Sequence, residues 1–164
     1  MLAGTGGGLF SPDAAMTRAM AVTVLHRLAG TPDAADDFVF DDVSANQWYT
    51  EAIAWAAETG IAEGYPEDGL FHPDDEISRQ EMAVMLYLYY TRWMECDGAA
   101  PALPDRFLDL DSVAGWALDA MSWAVDRGII SGVSGTELSP DGHTQRCMAA
   151  AMLQRFCNVV EAEV

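Results

Sequence analysis

Lysine is absent from the 164 residues: all eight basic side chains are arginine, set against 26 acidic ones, for a formal net charge of −18. A field of that sign repels phosphate backbones, which argues against nucleic acid as a partner. It equally argues against a basic helix lying on a membrane surface. Long apolar runs are missing too, because no uncharged stretch approaches the ~18 residues a membrane span needs. The opening Met1 to Gly8 has neither the basic head nor the apolar middle of a secretion signal. Cysteine is scarce: Cys96, Cys147 and Cys157 form an odd set with no C-x-x-C, which speaks against a disulfide framework or a zinc site. Cys147 and Cys157 fall on one helical pattern, roughly 15 Å apart along its axis, too far to bridge. No nucleophile elbow, phosphate loop or metal motif is present, so the expectation is no enzyme and no cofactor. A glycosidase-like carboxylate pair would be a chance match among so many acids.

What is present is a buried core and a repeat. Hydrophobic residues make up 51% of the chain, enough for a packed interior. Phe40-Asp41-Asp42-Val43 lies over Phe107-Leu108-Asp109-Leu110 at a shift of 67. With one residue inserted, Trp48 falls on Trp116, Trp55 on Trp123, Gly60-Ile61 on Gly128-Ile129 and Gly64 on Gly132. The shift of 67 then returns, with Phe71-His72-Pro73 over Leu138-Ser139-Pro140 and Arg79 over Arg146. A third copy is represented by its second half: Phe10-Ser11-Pro12 precedes Arg18 at the same spacing, and the run from Arg18 to Leu28 matches Arg146 to Phe156. One domain over residues 1–164 is expected, with half a repeat in 1–31 and full repeats in 38–98 and 105–164.

Each full repeat reads as helix, loop, helix, so the fold class is all-α. The first helix is expected over 48–59 and 116–127, with apolar positions recurring at three and four residues. Gly60 and Gly128 sit where a left-handed stop is wanted. Turn-rich loops follow, at 64–69, at 132–135 and, in the half repeat, at Gly4 to Gly8. The second helix begins near Thr17, Ser78 and Gln145, and Ser78 with Glu81 reads as a capping box. Its buried stripe is Met82, Met85, Leu86, Tyr89 and Trp93, with Ala21, Val24, Leu25, Leu28 and Ala149, Met152, Leu153, Phe156 as counterparts. So small a hairpin cannot bury its own apolar face, and neighbouring repeats must share one core with the second helices inside.

The order Phe-x-Asp-Val, Trp, Gly-Ile-x-x-Gly, Phe-x-Pro, Thr-Arg, carried by Phe40, Asp42, Val43, Trp48, Gly60, Ile61, Gly64, Phe71, Pro73, Ser78, Arg79 and Glu81, resembles the S-layer homology (SLH) repeat. Phe107, Asp109, Trp116, Gly128, Ile129, Gly132, Pro140 and Arg146 carry it again, and Phe10, Pro12, Thr17 and Arg18 in part. The resemblance implies a pseudo-threefold bundle of helix-loop-helix repeats. It also implies a non-catalytic module at a bacterial cell surface that binds cell-wall polysaccharide, often through a pyruvylated sugar, in grooves between repeats. The family's Thr-Arg-Ala-Glu motif maps onto Thr17-Arg18-Ala19-Met20, Ser78-Arg79-Gln80-Glu81 and Gln145-Arg146-Cys147-Met148. Its Glu stands only at Glu81, and Leu138 and Gln145 also depart from the pattern in the last repeat.

Arg18, Arg79 and Arg146 each fall at the first turn of an expected helix, whose free N–H groups and positive pole attract a carboxylate. A cation there costs roughly 0.3–1 kcal/mol, so a compensating role is required in all three repeats. One role is a planar fork for a sugar acid. The other is an intramolecular clamp onto an acid such as Asp42 or Asp109. At physiological salt, screening beyond about 8 Å leaves local geometry rather than net charge in control.

Trp48, Trp116 and Tyr65 are candidates to stack on a pyranose ring, while Trp55, Trp123, Tyr89 and Trp93 read as packing. Asp42 and Asp109 are either acceptors for sugar hydroxyls or helix caps. The histidines and the acidic runs Asp36-Asp37, Asp41-Asp42 and Asp74-Asp75-Glu76 lack a ligand register, so no metal is expected. Without a front half, the first repeat is expected to leave Met20, Val24 and Leu28 under-packed. A neighbouring chain, such as another copy, or further residues would then fill the gap, and the assembly role this suggests is the alternative to carbohydrate binding.

Overall fold

The computed structural model describes residues 9–34 and 40–163. The loop at Gly4 to Gly8 and the pair Asp36-Asp37 lie outside the described residues. The described residues form five α-helices: α1 (Arg18–Leu28), α2 (Thr50–Glu58), α3 (Arg79–Leu88), α4 (Leu118–Asp126) and α5 (Arg146–Glu163). Among the described residues there is no strand, and no helix is long and apolar enough to cross a membrane.

The three second helices enter the bundle through one shared junction. The residues just ahead of them meet as isolated antiparallel bridges, Ala15 with Gln145, Thr17 with Glu76 and Ser78 with His143. Their backbone bonds run in a ring. Met16 N–H donates to Thr144 O, Ile77 N–H to Met16 O and Thr144 N–H to Ile77 O, at 2.8 to 2.9 Å. Each helix then starts the same way, the N–H of Arg18, Arg79 and Arg146 donating to Asp75, Gly142 and Ala14 of a neighbouring repeat. Donors that a helix leaves orphaned at its N-terminus are thereby satisfied across the seams, which ties helix initiation to assembly of the pseudo-threefold.

Local signals set the helix ends. Ser78 accepts from Glu81 N–H while the Glu81 carboxylate accepts from Ser78 N–H, the full capping box. Thr17 caps α1 through Met20 N–H. Gly60 and Gly128 take φ of 67° and 68°, the left-handed geometry that ends α2 and α4. The first helices start later than the spacing suggests, at Thr50 and Leu118. Trp48 precedes α2 and Trp116 lies in a short 3-10 turn, which frees both from the core face. A π-helical turn at Tyr89–Trp93 extends α3.

The expected stripe is inside, with Met82, Leu86, Ala21, Leu25, Ala149 and Leu153 all essentially inaccessible. Trp93, exposed at the end of the π-turn, and Leu28, only partly buried, are the exceptions. Trp55 and Trp123 are the largest buried side chains. Trp55 meets His26, Tyr89 and Trp93, and Trp123 meets Tyr87, Tyr90 and Phe156.

Both tryptophans therefore bridge neighbouring repeats: α2 packs on α1, and α4 on α3. This corrects the expectation for Val24, which is buried because α2 covers α1, while Met20 and Leu28 are only partly buried. Under-packing falls instead on α5, where Cys147 and Gln154 are exposed at positions matching the buried Ala19 and His26.

At the junction itself Met16, Ile77 and Thr144 are all fully buried, and the Thr144 hydroxyl has no hydrogen-bond partner. A buried hydroxyl without a partner costs about 1–3 kcal/mol, and the backbone of Thr144 already makes both ring bonds. Thr144→Val keeps the branched shape, so urea denaturation is expected to show a gain of about 1 kcal/mol.

Candidate functional site

The sites are built at the seams between repeats, starting from a turn. The residues following Phe10, Phe71 and Leu138 (Ser11, His72 and Ser139) all adopt positive φ, between 51° and 54°. Such a conformation is costly for a non-glycine residue and requires outside support. Asp42 supplies it in the middle repeat, accepting from Phe71 N–H at 3.0 Å and His72 N–H at 2.7 Å. Asp109 repeats this on Leu138 at 2.9 Å and Ser139 at 2.7 Å. Asp109 precedes the 3-10 turn Leu110–Ser112 but makes no side-chain cap bond there, and the N-cap of α2 is Tyr49 rather than Asp42, which corrects the capping expectation. Both oxygens of each aspartate hold a backbone turn, which turns the preceding carbonyl toward a neighbouring repeat.

That carbonyl receives the arginine. Arg18 Nε donates to Phe71 O at 2.9 Å, Arg79 Nε to Leu138 O at 2.8 Å and Arg146 Nε to Phe10 O at 3.0 Å. A second carbonyl wall repeats as well, with Arg18 Nη2 on Glu63 O at 3.0 Å and Arg79 Nη2 on Ser131 O at 2.8 Å. All three arginines are buried, at 5%, 5% and 3% exposure. They line the seams rather than pointing into solvent. The clamp expected on Asp42 or Asp109 is not an ion pair: among the described residues the acid paired with a seam arginine is Glu81, 3.0 Å from Arg18.

The seams differ in what surrounds the guanidinium. At the first, Glu81 takes Arg18 Nη1 and the Tyr65 hydroxyl on one oxygen and both Ser78 donors on the other. The Tyr65 ring lies 4.3 Å from the guanidinium and the Phe71 ring 4.8 Å. Burial would raise the Glu81 carboxyl, but the bonds from Tyr65 and Ser78 and the Arg18 charge hold it below its ordinary value. Burial, then the bond to Glu81, pushes the Tyr65 phenol up to about 12. At the second seam Met148 stands in the place of Glu81, and among the described residues no carboxylate pairs with Arg79. Burial pulls the Arg79 guanidinium down from its ordinary value, and the nearby Asp109 charge only partly restores it. At the third, Arg146 faces Met20 Sδ at 3.7 Å and the Phe10 ring at 5.0 Å.

The three candidate aromatics separate. Trp48 and Trp116 are open to solvent, at 57% and 63% exposure, at equivalent places ahead of α2 and α4. Tyr65 is committed to the Arg18 seam. The repeat spacing found the arginines, but not the carbonyl walls or Arg155, whose Nη1 lies 3.3 Å from Ile129 O and 3.5 Å from Ser131 Oγ. Backbone oxygens leave no mark in a sequence, and Arg155 matches Arg27 in α1 but Leu88 in α3, so it does not recur in every repeat.

Each histidine has a local partner. His26 bonds Pro32 O, His72 bonds Asp68, and His143 lies by Glu76. Among the described residues no three His, Cys, Asp or Glu side chains gather as a metal site.

An all-helical repeat protein whose seams are each anchored by a buried arginine is the class these features define. The model of the S-layer homology domain matches residues 39–83 and 106–146, just over half of the chain. The chain belongs to the S-layer homology domain family. It is 30% identical over 159 residues to a cellulosome-anchoring protein of Acetivibrio thermocellus, covering 94% of this chain and 34% of that protein. A surface-layer 125 kDa protein of Lysinibacillus sphaericus is 31% identical over 165 residues, covering 99% of this chain and 13% of that protein. An amylopullulanase of Thermoanaerobacterium thermosulfurigenes is 31% identical over 147 residues, covering 88% and 8%. The chain thus spans between 8 and 34% of the length of these relatives.

Proposed function

We propose that this chain is a non-catalytic anchoring module that holds a protein at a bacterial cell surface by binding acidic cell-wall polysaccharide at its repeat seams. The observation that carries the reading is the guanidinium repeated at each seam and buried on backbone carbonyls, with no ion pair on Arg79 among the described residues. Burying a cation without a paired counter-ion is costly, and the nearby Asp109 charge offsets it only in part, so its retention at the Arg79 seam favours an anion supplied from outside. Trp48 and Trp116 add two exposed flat faces suited to sugar rings. A cellulosome-anchoring protein and a surface-layer protein among the relatives fit the same role. The amylopullulanase matches over only 8% of its length, which fits a module carried beside other segments.

The test is a tryptophan-fluorescence titration with purified non-peptidoglycan wall polymer, native or carboxyl-reduced. Binding to the native form is expected to exceed binding to the reduced form by about tenfold, the loss of one charge-assisted contact of about 1.4 kcal/mol. Trp48→Ala and Trp116→Ala are each expected to weaken it severalfold, and no reducing ends are expected to appear. Equal binding of the two forms would remove the role of the arginines.

A second reading is favoured by one observation, the open α5 face. Cys147, Ala150, Ala151 and Gln154 are exposed or half-buried there, whereas the matching Ala19, Val22, Thr23 and His26 on α1 are covered. An apolar groove lined by Leu28, Trp93, Phe156 and Val160 lies close by. In this reading a helix resembling α2 or α4, from a second copy or a partner, completes the pseudo-threefold. Light scattering that shows concentration-dependent dimers, abolished by Ala150→Arg, supports it; a monomer at high concentration removes the second copy.

A further inference from the structure

A cavity of about 470 Å³ lies between α3, the segment 98–103 and the first turns of α4. It is separate from the seam arginines, because its wall on α3 is Tyr87, eight residues and about 12 Å along that helix from Arg79. Gly98 lets the segment lie against that wall, since a Cβ there would collide with the Tyr87 ring and the Thr91 methyl. Asp119 and Ser122, three residues apart on one face of α4, form the wall on that helix, with Leu103 and Leu118 beside them.

The fold leaves the polar groups of this cavity unused. Ser122 is 8% exposed, and a helical hydroxyl so deeply buried ordinarily turns back onto the carbonyl four residues earlier, as those of Thr23, Thr59 and Thr91 do. Ser122 does not. Among the described residues its hydroxyl, the Tyr87 hydroxyl and the Asp119 carboxylate have no hydrogen-bond or ion-pair partner. The peptide groups of 98–103 make no bond to other backbone there either, and Ala99 N–H goes to Asp97 Oδ1 at 2.9 Å. Burial, then the charges of Asp119 and Asp97, push the Tyr87 phenol above its ordinary value, so both acids act on the cavity and the hydroxyl stays neutral. An anion is repelled from such a place. The 164 residues contain no lysine, so neither the chain nor a second copy of it has a lysine to fill it.

We infer that this cavity binds a primary alkylammonium group, with Asp119 as its counter-ion and the Ser122 and Tyr87 hydroxyl oxygens as its other acceptors. Three acceptors match the three N–H donors of an ammonium. Leu103 and Leu118 supply the apolar surface for its alkyl stem. The inference is independent of the anchoring reading and of the seam arginines.

The test is an NMR titration of the whole chain, followed at the backbone amides of Gly98, Asp119 and Ser122. The probes are 1,5-diaminopentane, Nα-acetyl-lysine methylamide, its uncharged analogue Nα-acetyl-norleucine methylamide, and methyl β-D-glucoside. Both amines are expected to shift these amides, with the norleucine analogue and the glucoside inert. The two amine arms tell the sources apart: tighter binding of the lysine derivative names a peptide side chain, and tighter binding of the diamine a free amine. Asp119→Asn is expected to weaken the amines by about tenfold, the worth of one charge-assisted contact.

Ser122→Ala and Tyr87→Phe are each expected to weaken them severalfold, the second keeping the ring that meets Trp123. Circular dichroism confirms that each variant is folded before its titration is read. Equal shifts from the lysine and norleucine probes, shifts from the glucoside in place of the amines, or no shift at these amides with any probe would overturn the inference. So would undiminished amine binding by folded Asp119→Asn. None of these results bears on retention by the cell wall.

Discussion

Trp123→Ala is expected to destabilise the protein by about 3–5 kcal/mol, the range for truncating a fully buried tryptophan. Against a total of about 5–15 kcal/mol for an ordinary domain, that is a third or more of what holds the fold. The size of the loss follows from where the ring sits. It is fully buried and touches Tyr87, Tyr90 and Phe156, so it joins α4 to two second helices at once. Its removal opens a cavity where repeats meet, a place that cannot collapse without moving α4.

Trp55→Ala is expected to cost a similar amount, for the same reason, through His26 and Tyr89. Trp48→Ala and Trp116→Ala are expected to shift stability by less than about 0.5 kcal/mol, as solvent-exposed substitutions do. Chemical denaturation followed by circular dichroism separates the two classes. A large loss at Trp116, or a negligible one at Trp123, would contradict the assignment of one pair to packing and the other to the ligand surface.

The second large effect is expected at Asp109 and Asp42. Asp109→Ala strips the acceptor from two backbone N–H groups in a turn of positive φ, at an expected cost of about 2–4 kcal/mol. It also loosens Leu138 O, the oxygen on which Arg79 rests, so binding is expected to weaken without loss of any ligand contact. Burial alone would raise the Asp109 carboxyl, but the N–H groups of Leu138 and Ser139 and the charge of Arg79 hold it below its ordinary value.

Glu81 is depressed likewise. A carboxylate with a lowered pKa in the folded state stabilises the protein above its unfolded pKa and ceases to do so as pH falls through the folded one. Acid unfolding is therefore expected below about pH 4, where both carboxylates take up protons. Asp109→Asn should unfold over a higher and shallower pH range than the unaltered chain. A pH–stability curve identical in the two proteins would show that Asp109 does not drive the acid transition.

How far the sequence could be read depended on the kind of interaction. Side-chain identity at fixed spacing carried the fold, because Gly60 and Gly128 end helices by backbone geometry and Ser78 with Glu81 starts one by its own chemistry. Period placed the buried stripe of the second helices as well. It misjudged Val24, since α2 packs on α1 of the preceding repeat and covers it, and it did not show that the α5 face is more open than that of α1.

The three arginines were legible because the same unfavourable choice recurs at a helix's positive end. Their partners were not legible. Phe71 O, Leu138 O and Phe10 O are backbone atoms, brought into reach by left-handed turns at residues for which no glycine signals such a turn. The aspartates were found but given the wrong structural task, because a carboxylate that clasps a turn 29 residues away looks, in sequence, like one that caps the next helix.

Retention on purified sacculi, before and after the non-peptidoglycan polymer has been extracted, measures the anchoring directly. The chain is expected to sediment with intact sacculi, to be released by soluble polymer, and to stay in solution with the extracted ones. Undiminished sedimentation with polymer-free peptidoglycan would contradict the account, since a wall-bound chain would then owe nothing to an acidic saccharide at its seams.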